Sequence, residues 1–318
     1  MKKICSYSAI TLMFIVGLFG CAEYTEDTRT ALEQTGLAIP AMAFPTESEE
    51  MGQTRHERVQ NCADMDFTPI YNAIQQYGNG VAIYFENLET GCSFSHNGEQ
   101  NFFAASIGKA PYAMWIYTLA EQGLIDLDAT LTYREDHHVP GSGIIQHRYE
   151  LGEEFTIRRL VALNLYESDN IATQMLRWEF GYADYANFIY HLGGRHYLIN
   201  DLWNAQITAN EAGFFMREIF DYMESGGRYS EEFRQFMLNN QHPFIVSDYP
   251  VASKTGWYRD FGGAWHDMAI VYAPSPYILV ILSSDRTGTD EDHQAYQYIS
   301  MAFQQLNHLN FVEITPDN

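Results

Sequence analysis

"AASIGKAPYAMW", residues 104–115, carries one of only four lysines in a chain of 318 residues. The others are Lys2, Lys3 and Lys254, and the fourteen remaining basic residues are arginine. Ser106 and Lys109 stand three apart, so a helical turn puts both on one face. A serine hydroxyl is a weak nucleophile and needs a base. A lysine amine serves when burial or a nearby cation lowers its pKa, whereas a guanidinium stays protonated. Lys109 is therefore read as the base for Ser106, a role arginine cannot fill. A helix N-terminus here would also aim backbone N–H groups at a developing oxyanion.

Ser-x-x-Lys alone is a weak signal, expected by chance on the order of once in an average chain of this length. Two further motifs strengthen it. Ser168-Asp169-Asn170 follows 62 residues later, and Lys254-Thr255-Gly256 a further 86 on, on an expected strand and using the other lysine. In this order the three motifs resemble those of class A β-lactamases and their penicillin-binding relatives. Pro111, Gly141-Ser-Gly-Ile-Ile-Gln146 and His266-Asp-Met-Ala-Ile-Val271 add to the likeness, which spans residues 65–310.

The resemblance implies roles. Ser106 becomes acylated, Lys109 activates it, and Ser168 relays a proton to the leaving amine. Asn170 binds the substrate amide, Lys254 supplies positive potential and fixes Ser168, and Thr255 binds a carboxylate. Gly256 lets the strand approach closely, and the N–H groups of Ser106 and Trp257 form the oxyanion hole. No cofactor or metal is implied. The substrate expected is a small molecule or peptide with a carboxylate, a β-lactam or a D-Ala peptide, matched to the positive charge of Lys109 and Lys254. Arg259 either adds to that charge or is an ordinary exposed loop residue.

The likeness breaks at one place. Class A enzymes carry Glu-x-x-Leu-Asn between the second and third motifs, and residues 171–253 contain none. The candidate stretch, 193–208, has no Glu. Asp201 reads as a cap or loop residue, Glu211 as a helix-start acid, and Glu167 as a cleft-edge or solvent residue. Ready acylation with slow deacylation is expected. Three rival readings stay open: a true β-lactamase with another water-activating group, a cell-wall sensor that does not turn over, and an esterase on this scaffold.

Working outward, hydrophobic patterning predicts a helix over 67–77, a hairpin from 80–86 and 92–96, and mostly helices from 105 to 240. Strands are expected over 250–254, 267–272 and 277–283, then a closing helix over 290–306. The fold class expected is mixed α/β (α+β). An antiparallel-sheet subdomain (65–104 and 245–314), with flanking terminal helices, holds an inserted all-helical subdomain (105–244).

Residues 1–21 join two lysines, a short apolar run and Leu-Phe-Gly-Cys, an export signal of lipoprotein type with Cys21 as the lipidated residue. Residues 22–64 read as a polar tether to the domain at 65–314. The protein is thus expected outside the cytoplasm, facing the exterior or periplasm and touching membrane only through its anchor. Cys62 and Cys92 either pair, which an oxidising compartment permits, or remain buried thiols. With Lys2 and Lys3 removed, 16 basic residues face 41 acidic ones, a net charge of −25 that argues against nucleic acid as a partner. His137 and His138 lack metal-ligand spacing, and His266 reads as lying where a strand begins. A monomer is expected.

Overall fold

Apolar runs near both ends of the described residues become neighbouring strands of one sheet. The computed structural model describes residues 65–77, 80–194, 205–259, 263–284 and 288–311, all within one compact unit. Helix α1 (Thr68–Tyr77) begins where Asp66 Oδ1 accepts the Thr68 N–H at 2.9 Å. Strands β1 (Val81–Asn87) and β2 (Ser93–His96) form the expected hairpin. Its turn is set by Asn87, whose Oδ1 accepts the N–H groups of Glu89 and Thr90 at 3.2 and 2.9 Å.

Strands β7 (Val251–Tyr258), β8 (Ala264–Val271) and β9 (Tyr277–Ser283) complete an antiparallel sheet of order β2-β1-β9-β8-β7. Alternation sorts its side chains between two cores. Ile83, Phe85, Leu279 and Ile281 face α1 and the closing helix, whose Tyr296, Ile299 and Phe303 fill that side. Ala82, Met268, Ile270 and Val280 face the helices of residues 109–238. Each large side chain so buried contributes about 1.5–3 kcal/mol.

Between these strands lie β3 (Phe102–Phe103), α2 (Lys109–Glu121), β4 (Thr130–Thr132), α3 (Ile145–Arg148) and β5 (Glu154–Thr156). Then come α4 (Ile157–Tyr166), α5 (Asn170–Phe180), α6 (Ala183–Leu192), β6 (Gln206–Ile207), α7 (Ala209–Glu224) and α8 (Ser230–Leu238), with α9 (Asp290–Phe311) last. Helix α2 is buried nearly all round, as an apolar sequence on every face requires.

Differences from the sequence reading are local. Helix α2 starts at Lys109, with Pro111 in its first turn, where no N–H is missed. Helix α8 falls within the stretch read as mostly helical, and Phe233 and Met237, one turn apart, anchor its largely polar sequence. The two-stranded ladders β3–β6 and β4–β5 are too short to show a period. Helix α9 runs five residues beyond 306. Cys21, Cys62 and residues 1–64 generally lie outside the described residues; Cys92 is disulfide-bonded. Among the described residues, no helix is long and apolar enough to cross a membrane.

Candidate active site

Three segments distant in sequence meet beside the edge strand β7. Ser106 lies in a 3-10 turn, Ala105–Gly108, directly before α2. Lys109 opens α2 and is only 2% exposed. Its Nζ donates to Ser168 O at 2.6 Å, Asn170 Oδ1 at 2.7 Å and Ser168 Oγ at 3.3 Å. Lys254, fully buried on β7, donates to the same Ser168 Oγ at 3.0 Å and to Thr255 O at 2.8 Å. The two lysines thus converge on one hydroxyl, whose own proton stays free to be donated elsewhere.

Backbone strain marks the same place. Ala105 and Ser168 have φ of +46° and +52°, a left-handed conformation that costs a non-glycine residue about 1–3 kcal/mol. Asp169, the N-cap of α5, ties the segment 140–145 to the loop that carries Ser168. Its Oδ1 accepts from Ile171 and Ala172 at 2.9 and 3.0 Å, and its Oδ2 from Ile144 and Ile145 at 2.7 and 2.9 Å. Gly143 must be glycine here, because a Cβ would stand 2.6 Å from Asp169 Cα and its φ is +119°. Asn170 is aligned from the same loop: its N–H donates to Ser142 O at 2.9 Å and its Nδ2 to Pro140 O at 2.9 Å. Replacing Asp169 by Asn would leave two donors facing an amide NH₂. Asp169→Asn should therefore lower stability by about 2–4 kcal/mol in urea unfolding. An unchanged midpoint would contradict this reading of the loop.

On β7, Gly256 carries the close approach. A Cβ there would lie 2.8 Å from both Ser106 N and Ile107 N. The strand therefore runs directly under the turn that holds the nucleophile. Thr255 is buried and pairs in register with Asp267 on β8. Trp257, 41% exposed, stacks under the Arg259 guanidinium at 5.7 Å and sits 6.2 Å from the Trp265 ring. Arg259 is thus a rim residue. Of the acids considered from sequence, Glu167 ends α4 and Glu211 lies in the first turn of α7, while Asp201 lies outside the described residues.

Two residues escaped attention in the sequence as contributors. Asp267 is fully buried, and its Oδ2 accepts the N–H groups of Phe244 and Ile245 at 2.8 and 2.9 Å. A carboxylate leading directly into the apolar run Met268–Val271 was the available signal. Tyr258, 38% exposed, meets Phe103, three residues before Ser106, edge-on at 5.5 Å. Among the described residues, no cluster of His, Cys, Asp or Glu is placed to hold a metal.

Burial dominates the electrostatics. It holds the Lys109 ammonium well below the usual lysine value, helped by the Lys254 charge and opposed by Asp169. Burial also pushes Lys254 down to about 7 against the pull of Asp267. It raises the Asp267 carboxyl to about 7, against its two backbone donors and Lys254. The consequence has a sign. If neutral Lys109 is the base, acylation falls as pH drops through its depressed pKa. Removing the neighbouring positive charge in Lys254→Met raises that pKa, so the acid limb of the acylation rate should move to higher pH. A limb that stays in place or moves down would exclude this coupling.

A model of the beta-lactamase enzyme family matches residues 68–306. Among solved structures, a beta-lactamase from Sphaerobacter thermophilus aligns over 80% of this chain and 100% of its own, with 22% identity and a TM-score of 0.69. A beta-lactamase from Chitinophaga pinensis aligns over 74% and 97%, with 20% identity and a TM-score of 0.66. A variant of PBP-A, captured as an acyl-enzyme with penicillin G, aligns over 74% and 96%, with 21% identity and a TM-score of 0.64. At these identities the solved structures establish the fold. Among curated proteins, none matches. With the family model covering about three quarters of the sequence and the mixed sheet-and-helix architecture shared, the chain belongs to the beta-lactamase enzyme family.

Proposed function

We propose that the protein is a serine acyl-enzyme hydrolase, acylated at Ser106 by β-lactams or D-Ala-type peptides and slow to deacylate. The observation that carries this reading is the convergence of two buried lysines on Ser168 Oγ, beside the turn bearing Ser106. Neutral Lys109 keeps its two shorter bonds, to Ser168 O and Asn170 Oδ1. Its lone pair is then available for the Ser106 hydroxyl proton. Ser106 Oγ attacks the substrate carbonyl, and the oxyanion forms against the N–H groups of Ser106 and Trp257. As the C–N bond breaks, the proton passes through Ser168 to the leaving amine. Thr255 holds the substrate carboxylate, Lys254 supplies the positive potential behind it and fixes Ser168, and Asn170 holds the substrate's side-chain amide.

Slow deacylation follows from the missing Glu-x-x-Leu-Asn motif. Loss of a positioned base typically slows the step it serves by about 10²–10⁴-fold. The penicillin acyl-enzyme of the PBP-A relative supports the same chemistry for this fold. The protein acts as a monomer, exported and anchored through a lipid on Cys21. A chromogenic cephalosporin provides the test. The expected trace is a burst equal to the enzyme concentration, followed by slow turnover. Sustained rapid hydrolysis would instead establish the second reading, a β-lactamase with another water-activating group, which the two beta-lactamase neighbours favour.

A further inference from the structure

We propose that His266 is a positioning residue for the nucleophile, clamping from β8 the strand that leads into Ser106. The inference rests on the acylation reading above. His266 is fully buried, the third residue of β8. Its Nδ1 faces the Ser283 N–H at 3.1 Å, and its Nε2 faces Phe103 O at 2.8 Å. A backbone N–H can only donate, so Nδ1 is the acceptor. The proton therefore sits on Nε2 and is given to Phe103 O. One neutral tautomer satisfies both contacts. The Phe102 ring meets the imidazole edge-on at 5.8 Å and closes the site. Burial, pressing the ring toward neutrality, acts in the same sense.

The place of this clamp gives it its consequence. Phe103 ends β3, and only Ala104 and Ala105 separate it from Ser106. Ala104 is already fixed by its N–H to Ala205 O at 2.8 Å, and Ala105 is held at a positive φ. No slack remains to absorb a shift of the Phe103 carbonyl before it reaches the nucleophile. On the sheet side, His266 pairs in register with Gly256, the residue lying under Ser106 N and Ile107 N. The imidazole thus ties the incoming strand to the same rung of the sheet that supports the oxyanion side. Small displacements of reacting groups have large kinetic effects, which makes such a tie a determinant of rate.

Two substitutions separate its halves. His266→Asn keeps an acceptor for the Ser283 N–H but cannot reach Phe103 O. His266→Gln places an amide N–H near the Nε2 position and restores that donor. The maximal acylation rate should fall roughly 10-fold or more in His266→Asn, with the half-saturating penicillin concentration little changed, and recover to within a few-fold in His266→Gln. Thermal midpoints fall in both variants and need not follow the rates. Equal rate losses in the two, or losses that track the midpoints, would overturn the inference. If the wild type forms no adduct on Ser106, the acylation reading falls by itself. Hydrogen exchange at the Ala104 and Ile107 amides then decides the clamp. Protection lost in the Asn variant but kept in the Gln variant supports it, and equal protection in both overturns it.

Discussion

Lys109→Arg should slow acylation by about 10²–10⁴-fold, the typical contribution of a positioned general base. The change replaces a group that can lose its proton with one that cannot, so it removes the neutral state in which Lys109 accepts the Ser106 proton. A guanidinium does not release its proton under any ordinary condition. It is also planar and larger, whereas Lys109 Nζ meets three acceptors from a site that is 2% exposed. The measurement is the rate of covalent adduct formation with a penicillin in a variant shown by circular dichroism to be folded. A rate within a few-fold of the wild type would mean that Lys109 is a structural cation and that another group takes the proton.

Gly256→Ala should lower acylation by roughly 100-fold, because a small displacement at the nucleophile has that scale of effect. The added Cβ would stand 2.8 Å from two backbone nitrogens, those of Ser106 and Ile107. Backbone has no rotamer with which to move aside. Either β7 retreats from the turn or the turn is lifted, and both separate the Ser106 N–H from the Trp257 N–H. Overpacking of this kind also costs about 1–3 kcal/mol of stability. Gly256 is buried where β7 passes the turn, so the added Cβ meets backbone rather than open space. Unchanged acylation in the variant would show that the two N–H groups do not form the oxyanion site together.

The residues legible from sequence are those whose chemistry permits no substitute. A lysine beside a serine, in a chain that otherwise uses arginine, announces a proton acceptor, and a second lysine on a strand announces where an anion is held. The sheet was legible because β1, β8 and β9 hold short runs rich in β-branched, aromatic and other apolar residues. What was not legible depends on contacts across the chain. No local signal tells that Ala105 and Ser168 adopt positive φ, since that strain is imposed by the segments around them. The two-residue pairing of Phe102–Phe103 with Gln206–Ile207 has no period to detect. His266 looked like the beginning of a strand, and only the fold brings Phe103 and Ser283 to its two nitrogens.

The most direct test is the intact mass of the protein against time after mixing with a penicillin, for the wild type and for Ser106→Ala. A wild-type adduct equal to one drug molecule, lasting for hours and absent from Ser106→Ala, is the result expected of a serine acyl-enzyme that deacylates slowly. No adduct on the wild type with no loss of drug, or an adduct that persists in Ser106→Ala, would contradict it.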